Sequence, residues 1–393
     1  MTLKRNLVLA IISVLVAGLV VVACQPAQAP SGQAPAASAS GDSATPEPAA
    51  GATSEAEAEA SPEAKATGTE EASAAAHGDV TGAGGELVIY SGRSENLVAP
   101  LIEEFEKETG IKVEVRYGGT AEMAATILEE GNNSPADVFF AQDAGSLGAL
   151  AEAGRLEKLP DEIVNKVDAR YRSPNGEWVG ASGRARVLVY NTDQLEESDL
   201  PQNVLGLTDP KWANQVGWAP TNASFQSFIS AMRKLNGDDA TRQWLEDMIA
   251  NGVQSYDNNV AIVEAVGKGE IQLGLSNHYY LYRFLEEQGE SFPARNYYFP
   301  DGGADALVNV AGAGVVNTTN QEELALRFVD FLLSDEAQQY FADETVEYPL
   351  VTADVKVNPL LKPLSELNPP QIDLSDLNDL QGTLEMLQDV GAL

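Results

Sequence analysis

Residues 86–117 read ELVIYSGRSENLVAPLIEEFEKETGIKVEVRY and contain a strand, a helix and a second strand in succession. The apolar run that begins at Leu87 ends in turn residues, which is typical of a buried strand followed by a loop. Residues 95–109 then place apolar side chains at helical spacing, and residues 111–117 alternate as a strand. This succession predicts a largely parallel sheet that is covered by helices.

The same alternation continues along the chain. A helix over 121–130 and a strand over 137–141 complete the first pattern. Further strands are predicted at 187–190, 215–219, 271–275 and 307–312, and further helices at 225–235, 241–251, 261–268, 321–333 and 335–341. The roughly 300 residues after Gly85 are enough for two domains of ordinary size. The sequence therefore predicts an α/β fold.

The N-terminus carries the pattern of an export signal. Residues 1–23 combine a basic start with an apolar run, which predicts a secretory signal peptide. The run is shorter than the roughly 20 residues that a membrane-spanning helix needs. Residues 21–24, VVAC, resemble the bacterial lipobox, in which the cysteine becomes the lipidated first residue of the mature protein. We therefore expect Cys24 to anchor an extracytoplasmic protein to the outer face of the cell membrane.

The segment after this signal has the composition of a tether. Residues 24–85 are rich in Ala, Pro, Ser and Glu and contain hardly any large apolar side chain, so we expect a disordered segment. Cys24 is the only cysteine, which excludes a disulfide within the chain. The net charge is −35, from 59 acidic and 24 basic residues, and this balance disfavours nucleic acid as a partner.

The sequence offers few groups for catalysis. Two histidines and one cysteine poorly supply a nucleophilic triad. The chain contains no G-x-S-x-G motif, no Walker phosphate loop and no H-E-x-x-H motif. We therefore expect a binding protein rather than an enzyme.

Small and polar residues follow several predicted strands. Residues 91–94, 141–145 and 277–280 each come directly after a strand, and ligands of open parallel sheets bind at such strand ends. Residues 220–224 precede a predicted helix, and their small side chains leave the amides of its N-terminus open to an anion. These four segments are the predicted walls of a binding crevice.

Two adjacent tyrosines, Tyr279 and Tyr280, stand in one of these segments, and Tyr282 follows them. In a helix such neighbours lie about 100° apart, so one or two of the rings could pack inward. Alternatively, two phenol oxygens could converge on one hard ligand. These residues alone leave both interpretations open.

Six motifs together are similar to those of a known family, the ferric-iron-binding proteins of ABC importers, which are a branch of the type II periplasmic binding proteins. The resemblance covers nearly all of the chain from 86 to about 352. The motifs are YSGRS (90–94), SPADVFF (134–140), SGRAR (182–186), GWAPTNASF (217–225), NHYY (277–280) and EYPL (347–350).

The resemblance implies a two-lobed fold. Each lobe is expected to be a mixed, mostly parallel sheet flanked by helices, and crossing strands are expected to form a hinge that closes the lobes over the ligand. Residues 86–186 and about 307–350 would form lobe 1, and residues 187–306 with the C-terminal tail, 351–393, would form lobe 2. The resemblance also implies a monomer that delivers its cargo to ABC permease subunits.

The resemblance further implies that Tyr279 and Tyr280 ligate Fe(III). This ion is small and hard and prefers anionic oxygen to sulfur. Because phenol has a pKa near 10, a lone tyrosine is protonated at neutral pH, but a trivalent cation at bonding distance favours the phenolate. Two phenolates leave one positive charge on the metal, which a carbonate, bicarbonate or phosphate ion could neutralise. His278, inside the motif, is expected to lie behind the ligands or at the surface.

The family pattern also gives positions for this anion and for further ligands. The chain departs from some relatives, because Ser94 and Gln142 stand where those relatives have a histidine and a glutamate. Arg93 and Arg184 are each expected either to bind the anion or to form a structural ion pair. The predicted anion-binding residues are Ser94, Arg93, Asn222, Ala223, Ser224, Asn259 and Asn277, and the metal site could be completed by Gln142, Asp143 or Tyr90.

The same scaffold allows an alternative cargo. Type II relatives also bind polyamines, thiamine and oxyanions. A polyamine site would need several inward-facing carboxylates and a box of aromatic rings. The four tryptophans stand outside the predicted crevice segments, except for Trp218 at their edge.

Overall fold

The computed structural model describes residues 85–351 and 355–393. All of them belong to one structural unit, residues 76–393. The predicted signal peptide and nearly all of the predicted tether, including the lipidation site Cys24, lie outside the described residues. Within the described ranges, no helix combines the length and the apolar character that are needed to cross a bilayer.

The first part of the described chain forms the predicted alternation of strands and helices. Helix α1 begins at Glu95 and buries Val98, Leu101 and Phe105, and it ends at Gly110, whose φ of 70° suits a residue without a side chain. The elements are β1 (Glu86–Ser91), α1 (Glu95–Thr109), β2 (Lys112–Tyr117), α2 (Thr120–Glu130), β3 (Val138–Ala141), α3 (Ala144–Glu152) and α4 (Asp161–Val164).

The remaining elements continue this pattern with longer helices and one long strand. They are β4 (Val179–Asn191), β5 (Val216–Trp218), α5 (Ala223–Asn236), α6 (Asp238–Ala250), β6 (Gln254–Ser255), α7 (Asn259–Lys268), β7 (Leu273–Asn277), α8 (Tyr279–Gln288), β8 (Ala294–Tyr297), β9 (Val308–Val315), α9 (Glu322–Phe331), α10 (Asp335–Asp343), β10 (Tyr348–Pro349) and α11 (Leu380–Asp389). Helix α8 therefore starts at the first tyrosine of the pair.

The strands of the described residues join into one sheet with the order β2-β1-β3-β9-β4-β7-β5-β6. Both ends of this sheet are parallel: β1 pairs with β2 and β3, and β5 pairs with β6 and β7. The centre is antiparallel, because β4 pairs with β9 and β7, and also with β8 and β10. Strand β4 thus belongs to both halves of the sheet, as expected for a strand that crosses a hinge.

The C-terminal tail contacts helices on both halves. On one side, the 3-10 turn Leu374–Asn378 packs against α3, and Trp178 Nε1 donates to Ser375 Oγ at 3.2 Å. On the other side, α11 packs against α5, where the hydroxyl groups of Ser230 and Thr383 lie 2.8 Å apart. The tail therefore bridges the two halves, and the lobe boundaries that were expected from the sequence remain a prediction.

Candidate metal-binding cleft

A cleft of about 1400 Å³ opens between the first turns of α2, α3 and α8. The rest of its lining comes from the first half of α5, the loop after β1 with the start of α1, the segment that precedes β10, and part of the C-terminal tail. Its lining brings together six of the residues that the sequence predicted for the site: Ser94, Gln142, Asp143, Ala223, Tyr279 and Tyr280.

The two tyrosines occupy the first turn of α8, directly after β7 ends at Asn277. Their ring centroids lie 4.3 Å apart, and the ring planes are inclined by 34°. Both side chains are half-buried and line the cleft. Tyr282, in contrast, is buried, and its hydroxyl donates to the carbonyl oxygen of Leu360 at 3.0 Å. This hydrogen bond supports the interpretation of Tyr282 as a packing residue, which stays a prediction because its side chain also borders the cleft.

The phenol of Tyr279 is protonated at neutral pH. Burial raises the pKa of Tyr279, and the neighbouring Tyr280 raises it further, while the charge of Arg184 acts in the opposite direction. A ligand that binds through this phenol as phenolate must therefore displace its proton, which only a strongly positive group at bonding distance can do.

The charge of the cleft favours a cation. Among its lining residues, Arg283 is the one basic side chain. Clefts that are lined by one sign of charge concentrate ions of the opposite sign. The acidic lining residues are Glu122, Asp143, Glu286, Glu290, Asp343, Glu344 and Glu347.

Three of the predicted anion-binding residues meet at the N-terminus of α5. Asn222 caps this helix, because its Oδ1 accepts from the backbone N–H of Ser224 at 3.0 Å. The amide of Asn259, which is fully buried, donates to Asn222 Oδ1 at 3.2 Å and to Ser224 Oγ at 3.1 Å. Asn277 is also buried, at the end of β7. The backbone N–H groups of Ser224, Phe225 and Gln226 are bonded to Asn222, so an anion at this helix start has to compete with these cap bonds.

The loop after β3 holds Gln142 and Asp143 at the cleft. The backbone N–H of Gln142 donates to Thr120 Oγ at 3.3 Å, and its carbonyl oxygen accepts from the guanidinium of Arg184. Asp143 Oδ1 accepts from the backbone N–H of Ser146 at 3.0 Å and so caps α3. Burial raises the pKa of the Asp143 carboxyl. Because Oδ1 accepts this capping hydrogen bond, the Asp143 carboxylate is only partly available to a metal ion.

Arg93 and Tyr90 are turned to other partners. Of the two roles expected for Arg93, the structure has the ion pair: Nη1 lies 2.9 Å from Oε1 of Glu347, and both side chains are buried. The structure does not bring Tyr90 into the cleft, because its hydroxyl donates to Glu130 Oε1 at 2.9 Å and accepts from Arg116 at 3.2 Å. The suggestion that Tyr90 completes the metal site is thus corrected.

Two buried residues of the site were not assigned their present role from the sequence. His278 is fully buried, and both of its ring nitrogens are hydrogen-bonded. The guanidinium of Arg186 lies over Phe225 and Phe228, 5.6 Å and 5.0 Å from the ring centroids, and has no hydrogen-bond partner among the described residues. Burial lowers the pKa of Arg186 to about 9. The SGRAR motif was the available signal for Arg186.

The two halves of the sheet share strand β4, and the cleft lies at the ends of strands. This arrangement is typical of an α/β binding protein. The chain belongs to the family of bacterial extracellular solute-binding proteins, whose family model matches residues 133–373.

Curated relatives place the chain within this family. It is 32% identical over 308 residues to the Fe(3+)-binding periplasmic protein of Serratia marcescens, covering 78% of this chain and 90% of the relative. It is 33% identical over 309 residues to the major ferric iron-binding protein of Neisseria meningitidis serogroup B, covering 78% of this chain and 93% of the relative. These names confirm the resemblance seen in the sequence, and they describe binding proteins rather than enzymes, as expected.

Solved structures agree with these relatives. Iron-bound HitA from Pseudomonas aeruginosa superposes with a TM-score of 0.72 at 37% identity, and the match covers 78% of this chain and 99% of HitA. The Trichodesmium FutA (IdiA) protein in complex with iron and citrate gives a TM-score of 0.69 at 31% identity, with 78% and 99% covered. The predicted α/β fold class of type II periplasmic binding proteins is confirmed.

Proposed function

We propose that this protein captures Fe(III) in its cleft through the phenolate oxygens of Tyr279 and Tyr280. The observation that carries the proposal is the tilted pair of half-buried phenols, with centroids 4.3 Å apart, in a cleft whose charged lining residues are mostly acidic. Fe(III) is the hard cation that such oxygens suit best. Relatives described as ferric iron-binding proteins support this choice of cargo.

An exogenous anion completes the coordination of the metal in this proposal. Ser94 and Gln142 offer no anionic ligand, and the carboxylate of Asp143 already caps α3. Carbonate, bicarbonate or phosphate, held near Ala223 by the amides at the start of α5, would supply anionic oxygens and neutralise the remaining charge. The amide and hydroxyl cluster of Asn222, Ser224 and Asn259 supports this position.

The tryptophans argue against a polyamine cargo. All four are buried in the core, so they cannot box an elongated cation in the cleft: Trp178, Trp212, Trp218 and Trp244. The burial of these rings therefore supports a compact cation better than a polyamine.

Delivery and attachment follow from the family and from the first residues of the chain. We infer that the protein is a monomer that passes its iron to ABC permease subunits. We also infer that a lipid at Cys24 holds it at the outer face of the cell membrane. Cys24 stands at the end of the apolar run of the predicted signal peptide, which supports this anchor.

Replacing this residue, Cys24→Ser, should release the protein into the medium with unchanged iron affinity. Continued membrane attachment would contradict the anchor.

The proposed iron site is tested by absorption spectroscopy. The purified protein with Fe(III) and bicarbonate should show a visible phenolate-to-iron charge-transfer band. The double variant Tyr279→Phe/Tyr280→Phe should lose this band. Tyr282→Phe is the matched control, because its hydroxyl is already bonded to the carbonyl oxygen of Leu360 and its loss should leave the band in place. A colourless wild-type protein, or a band that survives the double substitution, would overturn the proposal.

A further inference from the structure

His278, which directly precedes the two tyrosines, is bonded at every polar atom. Its backbone N–H donates to the carbonyl oxygen of Ala185 at 3.0 Å, and its own carbonyl accepts from the amide of Asn296 at 2.8 Å. Its ring Nδ1 accepts from the backbone N–H of Ala185 at 3.1 Å. Because Nδ1 is an acceptor, the ring proton is on Nε2, which donates to the carbonyl oxygen of Val346 at 2.9 Å.

Val346 has an unusual backbone conformation for its residue type. Its φ is 54°, in the left-handed region that a β-branched residue rarely adopts. Such a conformation is strained and persists only where the surroundings fix it. Here the following residue, Glu347, is held by the buried ion pair with Arg93, and β10 begins at Tyr348. The carbonyl of Val346 is therefore presented from a firmly held segment.

The bond between His278 and Val346 spans the place where the two halves of the sheet meet. His278 follows β7, which pairs with β4 through Asn277 and Arg186. Val346 precedes β10, which pairs with the same strand through Tyr348 and Gly183. The bond therefore links the start of the tyrosine-bearing helix to the segment before β10, because β7 and β10 follow one another along the same edge of the shared strand.

The ring of His278 also contacts the first tyrosine of the pair. It meets Tyr279 edge-on, with centroids 5.5 Å apart and planes at 89°, and it lies at 4.7 Å against Tyr348. Two hydrogen bonds and two aromatic contacts thus fix the imidazole, and the ring of Tyr279 packs against it.

We propose that His278 is a positioning residue, whose bond to Val346 at the junction of β7 and β10 sets the orientation of Tyr279 and Tyr280 in the cleft. The inference rests on the proposed iron site. It assigns to His278 a role that side-chain packing alone would not give, because it makes the geometry of the tyrosine pair depend on one hydrogen bond to the opposite half.

The test compares two substitutions that differ in this bond. In His278→Gln the side-chain amide can still donate to the carbonyl of Val346, whereas in His278→Leu nothing can. The measurements are the position of the iron charge-transfer band, the iron affinity against citrate as a competing chelator, and the melting temperature of the metal-free protein. His278→Leu should shift the band and weaken iron binding by about tenfold or more, the scale for residues that orient metal ligands. His278→Gln should keep the wild-type band and most of the affinity.

Several results would overturn the inference. One is a His278→Leu protein with a lowered melting temperature but an unchanged band and affinity, because His278 would then only fill the core. Another is a folded His278→Gln protein whose band and affinity are lost. If neither variant gives a folded protein, the residue acts in folding rather than positioning. A wild-type protein without any band would instead refute the iron site itself, so the two failures are distinguishable.

Discussion

Arg93 and Glu347 form a buried, two-pronged ion pair between residues that are 254 positions apart in the sequence. Nη1 donates to Oε1 at 2.9 Å and Nη2 donates to Oε2 at 3.2 Å, and Ser182 Oγ also donates to Oε2. Burial by itself would raise the pKa of Glu347, but the charges of Arg93 and Arg184 and these hydrogen bonds leave that pKa below its ordinary value. The pair joins the loop after β1 to the segment before β10.

Removing one partner of this pair should strongly destabilise the protein. Arg93→Met leaves a buried carboxylate without its counter-charge, and such changes cost about 3–5 kcal/mol of unfolding free energy. Urea unfolding of the metal-free protein measures this loss. The double variant Arg93→Met/Glu347→Leu should recover most of it, because no buried charge then remains.

The exposed pair between Lys268 and Glu264 provides the control for this prediction. It stands one helical turn apart on α7. Its removal should change the free energy of unfolding far less than the loss of Arg93, as is usual for exposed pairs in helices. Equal losses for Arg93→Met and Lys268→Met would contradict the assigned importance of the buried pair.

The pH dependence of stability should report on His278. Burial lowers the pKa of His278 to about 4, although the bond to Val346 and the charge of Glu347 act in the opposite direction. At neutral pH the imidazole is neutral in both the folded and the unfolded chain. Below its ordinary value of 6.5 the unfolded chain takes up a proton that the folded chain refuses until about pH 4. Stability should therefore fall by about 3 kcal/mol across this window, since one pKa unit corresponds to roughly 1.4 kcal/mol.

The variant His278→Gln isolates this contribution. Both proteins share all other titrating groups, so the difference between their unfolding free energies should shrink as the pH falls from 6.5 to about 4. Urea titrations of the metal-free proteins at several pH values measure it. Parallel curves would show that the imidazole does not titrate in this way.

The C-terminal tail packs against α3 at a position where this helix carries a glycine. A Cβ atom at Gly148 would stand 2.7 Å from the Cα atom of Ser375, closer than packed atoms allow. Gly148→Ala should therefore destabilise the protein by about 1–3 kcal/mol, as overpacking does. Gly119→Ala is the control, because a Cβ atom there meets nothing nearer than 3.7 Å. A neutral effect of Gly148→Ala in urea unfolding would mean that the tail is loosely seated.

The coordination sphere can be tested by adding an anionic oxygen. Gln142 lines the cleft with the two tyrosines, and the resemblance in the sequence implies a glutamate at its position in some relatives. Gln142→Glu should tighten Fe(III) binding by about tenfold or more, the range in which changes around metal sites act, and should alter the charge-transfer band. Gln142→Met, which lacks a strong oxygen donor, is the control. Unchanged affinity in Gln142→Glu would show that this side chain does not reach the metal.

The local elements of the fold were largely predictable from the sequence, and the shared strand was not. Helix α1 has the bounds that its apolar spacing predicted, because Ser94 and Gly110 punctuate it clearly. Of β4, only 187–190 was expected, although the strand begins at Val179. Its first half contains glycine, serine and arginine, which have low strand propensity, so pairing with β9 and β10 decides its structure.

The candidate site likewise has features that could be predicted from the sequence and features that could not. The family motifs located the tyrosine pair and the cluster around Asn222, because neighbours in sequence form these features. They did not show that Arg93 is neutralised by Glu347, since that pairing depends on the folding of distant segments. Nor did they show which face of β1 carries Tyr90, whose hydroxyl turns to Glu130 and away from the cleft. The alternation of residues along a strand assigns them to two faces, but it does not show which segment packs against each face.

Strand β4 has a consequence for any attempt to divide the protein. All but one of its thirteen residues are buried, and it is hydrogen-bonded along both edges. Excising either half as a fragment would remove the strands that pair with one end of this strand and leave free backbone N–H and C=O groups there, which are a template for aggregation. We therefore expect neither half to be soluble as a separate fragment, and the protein should be engineered as one chain.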